Sequence, residues 1–194
     1  IIMKKIILMA ALMLSSVATF AQRAVGSWTI QPKIGLNIAS LTNNDGSDPR
    51  IGFVGGAEFE YQAADIVGIS AGALYSMQGC KVDGNGSTYT TKLDYINIPI
   101  LANIYVVDNL AVKFGIQPGF NVNSKAKYTR GDASAEDGLD HMKTVDFTIP
   151  IGLSYEFSNI VVDARYNFGL TKVSSDADCK NSVFQITVGY KIDL

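Results

Sequence analysis

The stretch from Val145 to Leu170 alternates between apolar and polar residues over an unusual length. One face carries large apolar side chains: Val145, Phe147, Ile149, Ile151, Leu153, Tyr155, Phe157, Ile160, Val162, Ala164, Tyr166, Phe168 and Leu170. The intervening residues are mostly small, polar or charged, and Ser158-Asn159 interrupts the pattern once. This period predicts two β-strands joined by a tight hairpin. Each run is about twice the roughly 5–6 residues of a soluble strand and suits the roughly 9–11 that a membrane-spanning strand needs.

Eight segments of the chain share this alternation, at about residues 28–41, 51–61, 67–78, 89–106, 110–121, 145–157, 160–170 and 184–192. The fourth is the least regular, because Pro99 lacks a backbone donor for a strand ladder. Polar loops are expected after the first, third, fifth and seventh segments, at 42–49, 83–87, 129–141 (the longest) and 174–181. The other connections are short. This pattern is typical of outer-membrane barrels, with periplasmic termini and turns and extracellular long loops.

The face that carries the bulky side chains distinguishes a membrane barrel from a soluble one. A lipocalin-like barrel turns its apolar face inward, whereas an eight-stranded interior is only wide enough for side chains to fill. The bulky face of this chain would crowd such an interior, so we expect it to face lipid. Aromatic residues near the strand ends are expected in interfacial girdles: Trp28, Tyr61, Tyr75, Tyr105, Tyr155, Phe157, Tyr166 and Tyr190. The sequence therefore predicts an all-β fold, an eight-stranded antiparallel up-and-down transmembrane β-barrel.

The other face of these segments carries charges of both signs, which we expect to pair inside the barrel because buried charge is costly unless paired. The predicted structural network of the lumen consists of Lys33, Glu58, Glu60, Lys113, Glu156, Asp163, Arg165 and Lys191, and Asp146 shares their face. A narrow charge-selective pore is a less favoured interpretation, since a filled bore leaves no path. Acid-base chemistry at Glu58 and Glu60 is also disfavoured, because lysines are expected to neutralise both carboxylates.

The first residues are typical of a secretory signal peptide. Lys4 and Lys5 precede a short apolar run at 6–14, and small residues stand at the cleavage positions of Thr19-Phe20-Ala21. We predict a signal peptide at 1–21 and a barrel domain at 22–194. Cleavage would remove two lysines and no acids, so the formal charge of −2 becomes −4. Mild acidity disfavours nucleic acid as a partner, and bacterial outer-membrane lipid is the expected surrounding.

Four stretches resemble the PorT-like outer-membrane β-barrel proteins of Bacteroidetes: Ala21-Gln22 at the signal junction, Pro32–Asn37, Tyr95–Leu101 and Gly189-Tyr190-Lys191-Ile192. The resemblance covers essentially the whole mature chain. It implies an eight-stranded barrel similar to OmpX or to the membrane domain of OmpA, and it implies no activity. We expect a structural or interaction protein whose external loops form the contact surface. The alternative is an accessory subunit of a larger outer-membrane secretion or uptake complex.

Other chemistry is weakly indicated. His141 is the single histidine and follows Asp140 at a loop end, but no nucleophile is signalled nearby, so an enzyme is the less favoured hypothesis. Cys80 and Cys179 are the only cysteines, and a disulfide between them would need the loops to fold across the mouth. The sequence leaves that bond open. No metal or cofactor motif is present, so we expect no catalytic residue, metal or cofactor.

Overall fold

The computed structural model describes residues 23–43, 46–84, 86–131, 133–139, 141–175 and 178–194. The predicted signal peptide lies outside these ranges. The described residues form eleven β-strands: β1 (Trp28–Leu41), β2 (Asp48–Ala64), β3 (Val67–Gly84), β4 (Ser87–Asn97), β5 (Ile100–Val107), β6 (Leu110–Arg130), β7 (Ala133–Gly138), β8 (Val145–Phe157), β9 (Ile160–Gly169), β10 (Asn181–Tyr190) and β11 (Ile192–Asp193). Over the same ranges, no helix has the length and hydropathy needed to cross a membrane.

The strands close into a ring because β1 pairs with β2 on one side and with β10 on the other. β5 continues the line of β4 after a break at Ile98-Pro99, and β11 continues β10 after Lys191. With these continuations joined and β7 outside the ring, the wall has eight antiparallel strands. The predicted eight-stranded antiparallel barrel is therefore confirmed, and the break falls at the proline that cannot donate to a ladder.

Side-chain exposure alternates along each strand as the sequence does. The apolar side chains are exposed and the polar ones are buried, which is the reverse of a soluble protein. On β1, Ile34 is 64% exposed, whereas its neighbour Lys33 is 2% exposed. The same contrast holds on β2 between Ile51 at 67% and Glu58 at 2%. The apolar side chains thus cover the outside of the wall, and the polar ones fill the lumen, as expected for a barrel surrounded by lipid.

One end of the barrel holds both described termini and three short turns; we call it the terminus end, and the opposite one the loop end. At the loop end the predicted loops are partly wrong. The expected loop at 129–141 contains the end of β6, which runs to Arg130, and a hairpin to β7. The expected loop at 83–87 is largely replaced by strand, because β3 and β4 stay paired from Leu74↔Asn97 to Gly84↔Ser87.

These extensions form a four-stranded sheet beyond the barrel, which we call the wing. It comprises residues 77–84 of β3, 87–94 of β4, 123–130 of β6 and all of β7. A register shift between Asp94 and Tyr95 opposite β6 marks its base. The wing forms because the backbone hydrogen-bond ladders between these strands continue beyond the barrel. Backbone groups of polar strands can pair in water as well as in lipid.

The remaining loop-end connections fold over the mouth. The backbone of Lys143 donates to the carbonyl of Val173 at 3.0 Å, and that of Thr42 donates to Lys180 at 2.9 Å. Beneath them lies an apolar cluster of Leu41, Cys80, Leu93, Tyr95 and Val173, with Met142 and Cys179 packed against it. The loop end of the lumen is therefore covered by chain segments and filled by apolar side chains.

Candidate functional site in the barrel lumen

Asp163 and Glu58 are the two acidic centres of the middle of the lumen. Asp163 lies 2.7 Å from the Arg165 guanidinium, 3.1 Å from the Lys113 ammonium and 3.7 Å from the Lys33 ammonium. Glu58 lies 2.7 Å from Lys33 and 3.0 Å from Arg165. All five side chains are at most 4% exposed. They form one network, which we call the central cluster.

The central cluster joins strands that are not neighbours in the wall. Arg165 on β9 reaches Glu58 on β2, although β10 and β1 lie between those strands. Lys113 on β6 reaches Asp163 on β9 across β8. These side chains therefore span the bore, which agrees with an eight-stranded interior that side chains can fill.

Inward glycines make room for the long charged side chains. A Cβ atom added to Gly152 would lie 2.6 Å from the Cβ of Arg165, and one added to Gly72 would lie 2.8 Å from Cγ of Glu58. Gly152 pairs with Arg165 in the ladder between β8 and β9, and Gly72 pairs with Glu58 between β2 and β3. A small residue opposite each large one is thus the local pattern that lets the cluster form.

The charges of the central cluster nearly balance. Three cations face two carboxylates, so one formal positive charge remains. Because unpaired charge is strongly unfavourable away from water, each carboxylate lies within ion-pair distance of more than one cation. The arrangement fixes geometry and closes space, and it leaves neither carboxylate poised to accept a proton from a substrate.

A second group of charges lies toward the terminus end. Lys191 lies 3.2 Å from Glu60 and 3.1 Å from Glu156. Arg23 adds bonds of 2.7 Å to Glu156 and 2.6 Å to Asp193. The structure therefore divides the eight predicted lumen residues between two groups: five in the central cluster and Glu60, Glu156 and Lys191 here.

Tyr105 belongs to this second group, so its prediction as a girdle residue is wrong. Its hydroxyl donates to Glu60 and accepts from the Lys191 ammonium at 3.0 Å. Tyr105 shares its parity with Leu101 and Asn103, which both face the lumen. That parity could have identified it. Arg23 carried no comparable signal, because it precedes the first strand and belongs to no alternating segment.

Two further polar sites occupy the loop end. Asp146 accepts from Thr171 and, at 2.7 Å, from Asn181. Asp94 lies 3.7 Å from Arg50, and Asn123 donates to it at 2.8 Å. The sequence did not single out Arg50 or Asp94, because each lies beside a register shift where simple alternation no longer assigns a face.

The two cysteines meet at the loop end. Cys80 belongs to the apolar cluster, Cys179 packs against it, and the structure holds both as thiols. Burial raises the pKa of the Cys179 thiol. The loops do fold across the mouth as a disulfide would require, and the bond itself stays a prediction.

His141 occupies an exposed turn with a positive φ of 66°, and its carbonyl accepts from the backbone of Ser175 at 3.1 Å. Its predicted partner Asp140 lies outside the described residues. Within the described ranges, no group of three or more histidine, cysteine, aspartate or glutamate side chains is arranged to hold a metal ion.

Comparisons with known proteins agree with this architecture. The model of the family described as outer membrane protein beta-barrel domain matches residues 20–175. A search of curated proteins finds no match. Ail, the attachment invasion locus protein of Yersinia pestis, has a solved structure 16% identical to this chain with a TM-score of 0.50, covering 87% of this chain and 100% of Ail.

A second solved structure is similar to the same extent. Neisserial surface protein A is 16% identical with a TM-score of 0.52, covering 85% of this chain and 97% of that protein. At such identities the two structures support the fold alone. The family match extends over most of the sequence, and the observed ring has the expected strand number and the expected outward apolar face. The chain therefore belongs to the outer-membrane β-barrel domain family and is a transmembrane barrel of the bacterial outer membrane.

Proposed function

We propose that this protein is a closed, non-catalytic outer-membrane barrel with a structural or interaction role. Its contact surface is the wing together with the loops over the mouth, which lie on the extracellular side, and its termini are periplasmic. The observation that carries the proposal is the central cluster. Arg165 spans the bore to Glu58, and both side chains are almost completely buried. A lumen filled by paired charges suits a rigid support better than a conduit.

Planar-bilayer recording tests the closed lumen. The reconstituted wild-type chain is expected to show no steady unit conductance, whereas a porin reconstituted in the same lipid serves as the conducting control. Removing the bridge with the pair Glu58→Gly and Arg165→Gly is expected to give transient openings, because two large side chains that span the bore are lost. A steady conductance in the wild-type protein would contradict the proposal.

The proposed orientation rests on the connections. The three wall connections of the terminus end span only residues 65–66, 108–109 and 158–159, whereas the wing and the mouth segments lie at the other end. Short periplasmic turns and longer external loops are the usual arrangement in this class. An epitope placed after Gly131 should be reached by antibody on intact cells, and one placed after Leu194 only after permeabilisation. The reverse pattern would show the opposite orientation.

We further infer that the chain is a PorT-like member of its family. The Pro32–Asn37 motif lies in β1, Tyr95–Leu101 crosses the break between β4 and β5, and Gly189 to Ile192 closes the barrel against β1. The alternative role is an accessory subunit of a larger secretion or uptake complex. Purification from native membranes in mild detergent separates the two roles, since a subunit co-migrates with stoichiometric partners and a self-contained barrel migrates alone.

A further inference from the structure

The connection between β9 and β10 crosses the mouth of the barrel. Its described part, residues 170–175 and 178–180, is called here the covering segment. The side chain of Val173 is 1% exposed and belongs to the apolar cluster under the mouth. The backbone of Val173 donates to the carbonyl of Cys179 at 2.9 Å, so the covering segment folds back on itself above that cluster.

The covering segment also holds the connection between β7 and β8. The backbone of Lys143 donates to the carbonyl of Val173 at 3.0 Å. Met142 and Ser174 form an isolated antiparallel bridge, and Met142 packs against the apolar cluster. Whatever fixes the covering segment therefore fixes both connections over the mouth.

The polar contacts around the second half of the covering segment are exposed to solvent. Asn43 donates to the carbonyl of Asp178 at 2.9 Å, and the backbone of Lys180 donates to the hydroxyl of Thr42 at 3.1 Å. Lys172 lies 3.4 Å from Asp178, with side chains 50% and 63% exposed. Exposed pairs of this kind stabilise a fold little. The half of the segment that carries Cys179 is therefore held weakly by these contacts.

The two cysteines lie on opposite sides of this closure. Cys80 is 1% exposed and belongs to the wall, where it pairs with Pro49 of β2 and Thr91 of β4. Cys179 packs against the apolar cluster that contains Cys80. A disulfide needs Cβ atoms about 3.5–4.5 Å apart, the separation of side chains in contact. Because Cys179 lies in a connection between strands, it can reach that separation without breaking a strand ladder.

We propose that Cys80 and Cys179 form a disulfide that locks the covering segment to the wall of the barrel. Disulfides persist at the surface of bacterial cells and in the periplasm. The lock depends on the arrangement of the mouth alone, and it would form whichever way the barrel is inserted and whether or not its lumen conducts.

The oxidant is another disulfide, supplied by a small molecule or by a protein. Cys179 is the more exposed thiol, so its thiolate attacks the oxidant, and one oxidant sulfur leaves and takes up a proton. The thiolate of Cys80 then attacks Sγ of Cys179, and the second oxidant sulfur leaves and takes up the other proton. The two cysteines lose two electrons and two protons, and the oxidant becomes two thiols.

The lock would give the loop end two forms. In the reduced form the covering segment can lift, which withdraws Val173 from the apolar cluster and changes the surface over the mouth. In the oxidised form that surface is fixed. The consequence for partner binding rests on the proposed interaction role, whereas the bond itself does not, so a failed search for partners leaves the bond to be judged by its own chemistry.

Mass spectrometry locates the bond. The full chain is purified in dodecylmaltoside with a reductant, transferred to oxidised glutathione, and alkylated with N-ethylmaleimide in SDS before digestion. We expect one linked pair of peptides that contains Cys80 and Cys179, with neither thiol alkylated. A stable glutathione adduct on Cys179 beside an alkylated Cys80, alkylation of both thiols, or a bond between two chains would overturn the proposal.

Hydrogen exchange measures the lock without any substitution. Amides of the covering segment should exchange about tenfold faster or more after dithiothreitol reduces the oxidised wild-type protein, because a cross-link restricts local opening. Amides of β7 are the internal control and should not respond, since β7 pairs with β6 and carries no cysteine. Equal exchange of the covering segment in both redox states would contradict the lock.

A pair of variants separates the bond from other effects of the reductant. Cys179→Ala under oxidising conditions should exchange as fast as the reduced wild type and should not respond to dithiothreitol. Ser175→Ala, in the same segment, keeps both cysteines and should respond as the wild type does. The heat-dependent gel shift of the barrel checks that both variants fold. A folded Cys179→Ala protein that still responds to dithiothreitol would show that the bond is not the cause.

Discussion

The central cluster and the charged residues of the wing use the same kinds of side chain in opposite ways. In the central cluster Glu58 and Asp163 are surrounded by cations and lie almost fully out of solvent. In the wing, Lys92 faces Lys125, and Asp48 and Glu136 lie directly opposite Lys81 and Lys127. Breaking an internal ion pair from one side leaves a buried charge without a counter-charge, whereas exposure and salt weaken each ion pair on the wing. The first arrangement supports the fold, and the second contributes little to its stability.

Arg165→Met is expected to have the largest effect, because it leaves Glu58 and Asp163 with fewer counter-charges in a buried position. Breaking a buried pair from one side typically destabilises by about 3–5 kcal/mol. Urea unfolding in lipid vesicles, followed by the fluorescence of the single tryptophan, Trp28, measures it. Lys127→Met in the wing is the matched control and should change stability by less than about 0.5 kcal/mol. Similar losses in both variants would erase the distinction between the two regions.

Gly152→Ala tests the space left for the same arginine. The added Cβ would meet Cβ of Arg165 at 2.6 Å and the Ala164 carbonyl at 2.5 Å. Overpacking of this kind costs about 1–3 kcal/mol, measurable in the same urea experiment. Gly138→Ala, at the end of β7, is the control, since nothing lies within 4 Å of its added Cβ. An unchanged Gly152→Ala protein would indicate that the lumen yields easily.

Tyr105→Phe asks whether the terminus end behaves like the central cluster. Removing the hydroxyl takes one donor from Glu60 and one acceptor from Lys191. A loss of about 1–2 kcal/mol is expected for a buried polar group left with one partner fewer. Tyr128→Phe removes a hydroxyl that bonds Ser87 on the exposed wing and should have little effect. A larger loss in Tyr105→Phe than in Tyr128→Phe would support the difference between buried and exposed polar groups. Equal losses would contradict it.

Lys92→Gln should have the smallest effect on stability of the four substitutions, and it should be seen mainly as a change in the titration of Glu136. Because Lys92 donates to Glu136 and lowers its pKa, the substitution should raise that pKa toward its usual value. A lowered carboxyl pKa stabilises the fold above the unfolded-state value of about 4.3, and this contribution disappears as the pH falls through the folded-state pKa. Side-chain NMR of Glu136 between acid and neutral pH follows the shift. High salt should reduce the difference between wild type and variant.

Alternation alone predicted the ring and the lumen faces. Lys33, Glu58 and Asp163 could be assigned inward because a period of two leaves only two faces, and only one of them carried charge. The partners within the lumen could not be predicted. Arg165 finds Glu58 rather than Glu60 because of the stagger between strands, which the sequence does not state. Tyr105 was misplaced because aromatic character outweighed parity, and the wing was missed because polar composition indicated loops.

The sequence by itself determined that this chain forms a barrel with its bulky apolar side chains outward, since strand length and residue period are local properties of the chain. Only the tertiary structure decided which charges meet, because side chains such as Arg165 and Glu58 approach through the closure of β1 on β10. It also decided that four lysines from three strands share one surface, because interstrand register is set by pairing over the whole sheet.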